Sequence, residues 1–245
     1  MYLRLLSISI VVDNVAKKSM LRSTWGFSAF IKHDNLRGFF DVGPSLSILE
    51  KNANLLSIDL HSPIDFVFIS HMHGDHMGAL LDFIKKYHPK ALYLPDDVRE
   101  KELQKYSRFV DTVNVLKDPT KIAPAMYSTG TLKYNVPEES LLIKDGNHTF
   151  LIVGCSHPKV ERIVTRVRDA LGMNVTLVIG GYHISGFERG LGVGMALKGL
   201  SVEYAIPCHC TGDKAKEGIY SAFEKKIICG AGLIVRSSNN NIEFE

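Results

Sequence analysis

A chain of 245 residues with 45% hydrophobic and 22% charged residues has the composition of an ordinary globular protein that can bury a sizeable core. Its formal net charge of +3 is too small to indicate nucleic-acid binding by itself, and a small phosphorylated partner would suit it as well. No segment approaches the roughly 18 apolar residues of a membrane-spanning helix, so we expect no membrane contact.

Apolar runs bounded by turn residues predict the strands and helices of the first half of the chain. Strands are predicted at residues 5–12, 27–32, 38–42, 64–69, 91–94 and 110–116. Helices are predicted at 45–56, with Ser45 as the N-cap, at 78–87, and from 95–97 to about 106.

The second half continues the same alternation of strands and helices. Strands are predicted at residues 126–128, 140–144, 149–153, 175–179 and 204–207, and a last strand follows Val235 and the Asn-rich turn at 239–241. A further turn is predicted at 145–147, and helices are predicted at 159–171 and 212–223. The glycine-rich segment 186–199 lacks a phosphate-loop or dinucleotide motif, and we interpret it as flexible backbone. With no repeat or long linker, the sequence predicts a single α/β domain over residues 1–245.

The four cysteines are not in Cys-x-x-Cys spacing, so neither a thioredoxin-like motif nor a zinc ribbon is indicated. Their small number and the lack of a recognisable leader predict a reducing cytoplasm. We interpret Cys155, Cys208 and Cys210 as small apolar packing residues, with zinc ligation as the alternative.

Within the segment from Ser70 to His76, which follows an apolar run, the six residues from His71 to His76 contain three imidazoles and one carboxylate. These groups are ligands of Zn²⁺ and its first-row neighbours, so we interpret the segment as a metal-binding loop rather than an ordinary polar loop. Because alternate residues of extended backbone point the same way, His71 and His73 are expected to share one ion. Asp75 and His76 are then expected to hold a second ion, and two such ions can activate water.

The pattern His-x-His-x-Asp-His after a strand resembles the signature of the metallo-β-lactamase superfamily. Further segments resemble superfamily landmarks in the same order: 39–43, 154–157 and 207–212. This resemblance implies a four-layer αβ/βα sandwich (the metallo-β-lactamase fold) and usually two metal ions. The segments 12–14, 26–28, 154–158, 180–183 and 207–212 together resemble one subgroup, typified by the 7,8-dihydropterin-6-methyl-4-(β-D-ribofuranosyl)aminobenzene-5′-phosphate synthases.

The resemblance also implies roles for residues outside the metal-binding loop. Asp41 is expected to support that loop, and Asp75 is expected to be catalytic by holding metal and orienting water. In the superfamily a bridging Asp usually follows the strand predicted at 175–179, but residues 180–185 contain none, so His183 either replaces it as a ligand or contacts substrate. The expected ligands of one or two Zn²⁺ ions, with Mn²⁺ or Fe²⁺ as alternatives, are His71, His73, Asp75, His76, His157, His183 and His209.

These features predict a metal-dependent hydrolase or transferase, of the synthase type or similar to it, acting on a phosphorylated small molecule. The alternatives are a nuclease-like phosphodiesterase, a di-iron redox or sensing protein, and a non-catalytic metal-binding module. A nucleic-acid partner is disfavoured because the sequence has no extra arm or second domain. The segment 131–139 is shorter than the cover of larger relatives, which predicts a more open cleft and a different substrate. The sequence makes no prediction about oligomeric state.

Overall fold

The computed structural model describes residues 6–238 and 241–245. The chain forms two compact units, one comprising Met1–Lys117 with Gly230–Glu245 and the other Asp118–Cys229. Each unit contains one mixed sheet and its own helices, which confirms the predicted α/β class. The single domain predicted over residues 1–245 stays a prediction.

The strands of the described residues are, in chain order, β1 (Leu6–Val12), β2 (Ser28–His33), β3 (Leu36–Phe40), β4 (Phe66–Phe68), β5 (Ala91–Pro95), β6 (Thr112–Leu116), β7 (Thr120–Ala123), β8 (Met126–Ser128), β9 (Leu141–Asp145), β10 (His148–Val153), β11 (Leu177–Gly181), β12 (Tyr204–Cys208), β13 (Ile234–Ser238) and β14 (Asn241–Phe244). The helices are α1 (Leu46–Leu55), α2 (Gly74–Met77), α3 (Leu80–Tyr87), α4 (Glu100–Tyr106), α5 (Val160–Leu171), α6 (Phe187–Gly199) and α7 (Asp213–Ser221).

The sheet of the first unit has the strand order β14-β13-β1-β2-β3-β4-β5-β6. Strands β3 to β6 are parallel to one another, so their carboxyl ends meet at one edge. The loops that follow β3 and β4 therefore lie side by side. Helices α1 and α3 bury apolar side chains in the core of this unit, where the rings of Phe39 and Phe83 are 5.2 Å apart.

The sheet of the second unit has the strand order β12-β11-β10-β9-β8-β7. Strands β10, β11 and β12 are parallel, so the loops after all three lie at the same edge. Helix α5 buries Val160, Ile163, Val164 and Val167, the i, i+3, i+4, i+7 spacing that the sequence predicts. These side chains join the apolar core of the second unit.

The prediction of flexible backbone over residues 186–199 is wrong, because these residues form helix α6. Its glycines serve close packing: a Cβ atom at Gly190 would overlap the backbone of Ala215 in α7, and one at Gly194 would lie 2.9 Å from Cβ of Ala222. Gly218 of α7 likewise has no room for a Cβ against Phe187 and Leu191 of α6. The two backbones therefore touch, and a pattern that looks like a loop in the sequence is a helix–helix contact.

Other differences from the predicted elements are small. Strand β7 was not predicted, and α4 begins at Glu100 rather than at residues 95–97. The hairpin turn at Asp145–Gly146 is confirmed by the pairing of β9 with β10. Residue 5 of the first predicted strand and residues 239–240 of the predicted Asn turn lie outside the described residues. None of the helices in the described part of the chain is long and apolar enough to span a membrane.

Candidate metal-binding residues

Asp41 anchors the metal-binding loop of the first unit. It follows β3, is fully buried, and its two carboxylate oxygens accept hydrogen bonds from the backbone N–H of Ser70 at 2.8 Å and from the Ser70 hydroxyl at 2.8 Å. The second oxygen also lies 2.6 Å from Nδ1 of His76. Burial raises the pKa of Asp41, whereas His76 and the Ser70 hydrogen bonds act in the opposite direction. The expectation that Asp41 supports the loop agrees with this geometry.

These contacts favour one tautomer of His71 and of His76. An ionised Asp41 has no proton to give, so Nδ1 of His76 is then the donor, and a neutral His76 carries its lone pair on Nε2. The Ser70 hydroxyl donates to Asp41, so Nδ1–H of His71 donates in turn to the Ser70 oxygen at 2.9 Å. Both imidazoles therefore present Nε2 as a ligand atom, the arrangement that carboxylates and hydroxyls impose on metal-binding histidines.

His73 and Asp75 complete this group. The ring of His71 lies 4.7 Å from that of His73 and 4.2 Å from that of His76, measured between centroids. One oxygen of Asp75 is 3.9 Å from Nε2 of His76 and accepts a hydrogen bond from the exposed Trp25 indole at 2.9 Å. His73 and His76 thus lie against buried His71, and Asp75 lies beside His76, since helix α2 begins at Gly74 and turns this part of the loop back.

In the second unit, Glu138 holds the loop that carries His157. The buried carboxylate accepts hydrogen bonds from four successive backbone N–H groups between Gly154 and His157, at 2.8 to 3.1 Å. A carboxylate that satisfies four donors fixes the loop much as Asp41 fixes the loop of the first unit. Glu138 could not be predicted from the sequence, because it lies 16 to 19 residues from the groups it binds and no local motif marks it.

The loops after β10, β11 and β12 bring three predicted histidines and two cysteines to one edge of the second sheet. The ring centroids of His157 and His183 are 4.5 Å apart. Potential ligand atoms of Cys155, His157 and His183 lie within 4.8 Å of one another, as do those of Cys155, His209 and Cys210. Cys155 belongs to both groups, so the structure adds two thiols to the predicted donors.

Backbone conformation marks several of these residues as constrained. Asp41, His183 and His209 have φ angles of 52°, 47° and 44°, in the left-handed region that costs a non-glycine residue about 1 kcal/mol or more. Each follows the carboxyl end of a strand. Such strain persists only where surrounding contacts hold the residue, and it is concentrated at functional sites.

The interpretation of the cysteines as packing residues needs correction. Cys208 is buried but forms a disulfide bond with Cys229, a pairing that sequence spacing alone does not specify. Cys210 is half-buried, and hydrogen bonding with Cys155 and the imidazole of His183, against the effect of burial, lowers the pKa of the Cys210 thiol to about 5. A thiol of that kind is ionised at neutral pH and is a competent metal ligand.

The donor sets of both units fit a transition metal. Imidazole nitrogen, carboxylate oxygen and thiolate sulfur are the ligands that zinc takes, and two of the imidazoles are oriented by hydrogen bonds that they donate to Asp41 and Ser70. The histidines predicted from the sequence lie in two clusters of metal-compatible donors, one in each unit. Glu138 was not predicted, and zinc ligation by the thiols was the alternative to the preferred interpretation as packing residues.

Comparison with known proteins agrees with this chemistry. Residues 60–174 match the family model of the metallo-β-lactamase superfamily. An uncharacterized protein of Methanocaldococcus jannaschii is 27% identical over 240 residues, which cover 85% of this chain and 91% of that protein. The 7,8-dihydropterin-6-methyl-4-(β-D-ribofuranosyl)-aminobenzene-5′-phosphate synthase of the same organism is 25% identical over 237 residues, which cover 77% of this chain and 80% of the synthase.

A solved structure has the same fold. The crystal structure of a metal-dependent hydrolase of the β-lactamase superfamily matches with a TM-score of 0.77 and 25% sequence identity, covering 96% of this chain and 100% of that one. The resemblance stated from the sequence, and the fold that it implies, are confirmed.

Proposed function

We propose that this protein, which carries a metallo-β-lactamase domain, is a metal-dependent enzyme that cleaves or transfers a group of a phosphorylated small molecule. The observation that carries the proposal is the hydrogen-bonded series from Asp41 through Ser70 to His71 and from Asp41 to His76. A buried carboxylate that holds two imidazoles through their Nδ1 atoms, directly and through a hydroxyl, leaves Nε2 of each for a metal, and it is the usual support of a metal site.

The proposed ligands are the residues predicted from the sequence: His71, His73, Asp75, His76, His157, His183 and His209. We add Cys155 and Cys210, whose sulfur atoms lie among the ligand atoms of the second cluster. No Asp is present in residues 180–185, and a thiolate would supply the negative charge that a carboxylate gives elsewhere in the superfamily. Zinc, the proposed metal, would polarise the reacting bond and lower the pKa of water when bound.

Asp75 is the proposed catalytic residue. Its carboxylate is held by the Trp25 indole at 2.9 Å and lies beside Nε2 of His76 at 3.9 Å, and it is only partly buried. A carboxylate in this position can accept a hydrogen bond from an incoming water or hydroxyl and orient its lone pair towards substrate. Trp25 would restrict the rotation of the carboxylate, since its N–H occupies one of the two oxygens.

Two observations bear on the substrate. The 25% identity with the dihydropterin-ribofuranosylaminobenzene phosphate synthase supports a phosphorylated substrate and a synthase-like transfer of a pterin methylene group. The short segment between Gly130 and Ser140 supports a substrate that differs from the one of larger relatives. We therefore propose the reaction class and leave the identity of the acceptor to the assay.

The test combines metal analysis with activity. The purified protein is expected to carry one or two zinc ions per chain by elemental analysis, and His71→Ala and His209→Ala are each expected to lower that content. The exposed His61, which lies outside both clusters, provides the matched control, and His61→Ala should retain the full metal content.

Activity is measured with a dihydropterin pyrophosphate and an aryl phosphoribosyl acceptor, and then with phosphodiesters. Turnover of one of these substrates that disappears in Asp75→Asn, with the fold intact by circular dichroism, supports the proposal. A wild-type protein that contains no metal and takes up none when zinc or manganese is added would contradict it.

A further inference from the structure

A cleft of about 550 Å³ opens on the second unit, next to helix α5. One wall is formed by α5 itself and the other by the segment that follows Gly130. The polar residues that line it are Thr131, Lys133, Arg162, Thr165, Arg166 and Asp169. It contains none of the proposed metal ligands.

The charge of this cleft is strongly positive for its size. Three cationic side chains face one carboxylate, and that carboxylate, Asp169, already binds Arg168 at 2.9 Å. Arg162 and Arg166 are four residues apart on one helix, so their like charges repel and destabilise α5 unless something offsets them. An anion bound in the cleft would remove this penalty.

The arginines are also held in a geometry suited to a ligand. The guanidinium of Arg162 lies 5.6 Å from the ring centroid of Tyr134, which limits its motion. The Nε atom of Arg166 is buried and makes no hydrogen bond within the protein. A buried donor left without an acceptor destabilises the folded state, and a shift of the side chain towards a ligand oxygen in the cleft would satisfy it.

The wall of the cleft is connected to the loop that carries His157. Leu132 exchanges two backbone hydrogen bonds with Glu138, at 2.9 and 3.2 Å, and the Glu138 carboxylate binds the N–H groups of residues 154–157. A ligand held by Lys133 would therefore touch the same short segment that fixes a proposed metal ligand.

We propose that this cleft binds the phosphate group of a small phosphorylated molecule, which anchors the substrate away from its reacting bond. A phosphate offers the tetrahedral set of oxygens that guanidinium groups bind in pairs, with Lys133 as an additional point charge. The assignment of the phosphate to a substrate rests on the proposed function, whereas the binding of phosphate by the cleft does not.

The test measures the affinity of the metal-loaded protein for inorganic phosphate by isothermal titration calorimetry. Replacing Arg162→Gln and Arg166→Gln together removes two charge-assisted hydrogen-bonding groups and is expected to weaken binding at least about tenfold. Lys144→Gln, in the same unit but exposed and outside the cleft lining, removes one positive charge and should change the affinity less than about twofold. Circular dichroism checks that the variants keep their helix content.

Two further measurements distinguish phosphate binding in the cleft from binding at the metal and from binding of a nucleic-acid backbone. In His71→Ala, phosphate binding is expected to persist although metal and turnover are lost. If phosphate affinity instead falls in His71→Ala and is unchanged in the double Arg variant, phosphate binds at the metal and the cleft proposal is overturned. If the double variant weakens binding of a fluorescent single-stranded RNA but not of phosphate, the cleft serves a nucleic-acid backbone and the proposal is also overturned. The wild-type protein could also prove to have neither metal nor turnover while its phosphate binding still depends on the two arginines. That outcome would contradict the proposed function but support the cleft as a phosphate site.

Discussion

Asp41 contributes two oxygens that serve three groups, the Ser70 N–H, the Ser70 hydroxyl and His76. An amide at this position would present a donor where Ser70 and His76 also donate, so at least one of these hydrogen bonds would be replaced by a repulsive contact. The orientation of two proposed ligands therefore depends on the charge of one buried side chain.

We predict that Asp41→Asn weakens zinc binding by about 10- to 100-fold, the range that is typical of supporting groups around a metal. Competition with a chromophoric chelator measures the affinity. Asp65→Asn is the matched control, because Asp65 also accepts a backbone hydrogen bond, from Arg37, but lies outside the metal-binding loop. Ser70→Ala, which removes only the hydroxyl between Asp41 and His71, should weaken binding in the same direction; unchanged affinity in both variants would contradict the supporting role.

The thiol of Cys210 gives a prediction that depends on pH. Its pKa is lowered from 9.0 to about 5, so the reactive thiolate is already formed above about pH 6, whereas an ordinary thiol becomes reactive only near pH 8.5. In the metal-free protein, the rate of alkylation by iodoacetamide should therefore level off above about pH 6. Cys210→Ala should remove this fast reaction and Cys155→Ala should slow it at neutral pH; a rate that keeps rising to pH 9 in the wild type would show that the thiol is not perturbed.

At the level of single residues, the donors that could be predicted from the sequence are those whose residue types and spacing are local. His71, His73, Asp75 and His76 fall within six residues, so ligand type and spacing are sufficient to predict them. Glu138 and the partner of Cys208 could not be predicted, because a buried carboxylate and a disulfide are specified by neighbours in space that lie 16 to 21 residues away in the chain.

Secondary structure elements position the two clusters of donors. Glycine residues permit the close contact between helices α6 and α7. Because they have no side chain, Gly190, Gly194 and Gly218 let α6 and α7 approach until their backbones touch. Gly192 belongs to the same helix, yet a Cβ atom there would meet nothing within 4 Å. Three of these glycines therefore lie at a crowded contact between helices, whereas Gly192 has open space around it.

We predict that Gly190→Ala destabilises the protein by several kcal/mol, since the added methyl group must push the two helices apart. Gly192→Ala is the control on the same helix and should stabilise the protein by about 1 kcal/mol, because alanine loses less backbone entropy on forming a helix. Urea denaturation followed by circular dichroism measures both changes. Equal effects of the two substitutions would show that helix packing is not what the glycines provide.

Most elements could be predicted because their apolar spacing is local. The buried face of α5 and the short apolar strands at the centre of each sheet are visible in the sequence, since burial of one face requires a regular pattern. Strand β7 (Thr120–Ala123) was missed because it has only four residues, the first two of which are polar and exposed, so it contains no apolar run. Helix α6 was missed because four glycines suggest a loop until the neighbouring helix that they contact is known.

On the scale of the whole molecule, the chain divides into two compact units with one sheet and one apolar core each. The proposed ligands are distributed over both units, four residues in the first and the remainder in the second. Metal binding to the native protein should therefore be visible in its global stability, because a ligand that binds only the folded state shifts the unfolding equilibrium.

We predict that zinc at about 100 times its dissociation constant stabilises the protein by about 2.7 kcal/mol, which for a chain of this size raises the melting temperature by about 5–10 °C. Differential scanning calorimetry with and without a chelator measures the shift. His71→Ala should reduce the shift and His61→Ala should preserve it. A melting temperature that does not respond to zinc would contradict the metal assignment, and two separate transitions would contradict the single domain predicted from the sequence.

The contact between α6 and α7 also limits which substitutions this sequence can accept during evolution. Where two large side chains meet, an enlargement on one side can be compensated by a reduction on the other. At Gly190 and Gly218 the smallest residue already stands opposite main-chain atoms of the other helix, so no smaller partner exists and no second substitution can restore the fit. A library of random variants screened for folded protein should therefore contain almost no survivors at these two positions, with or without additional changes in α6 and α7, whereas Gly192 should accept many residues.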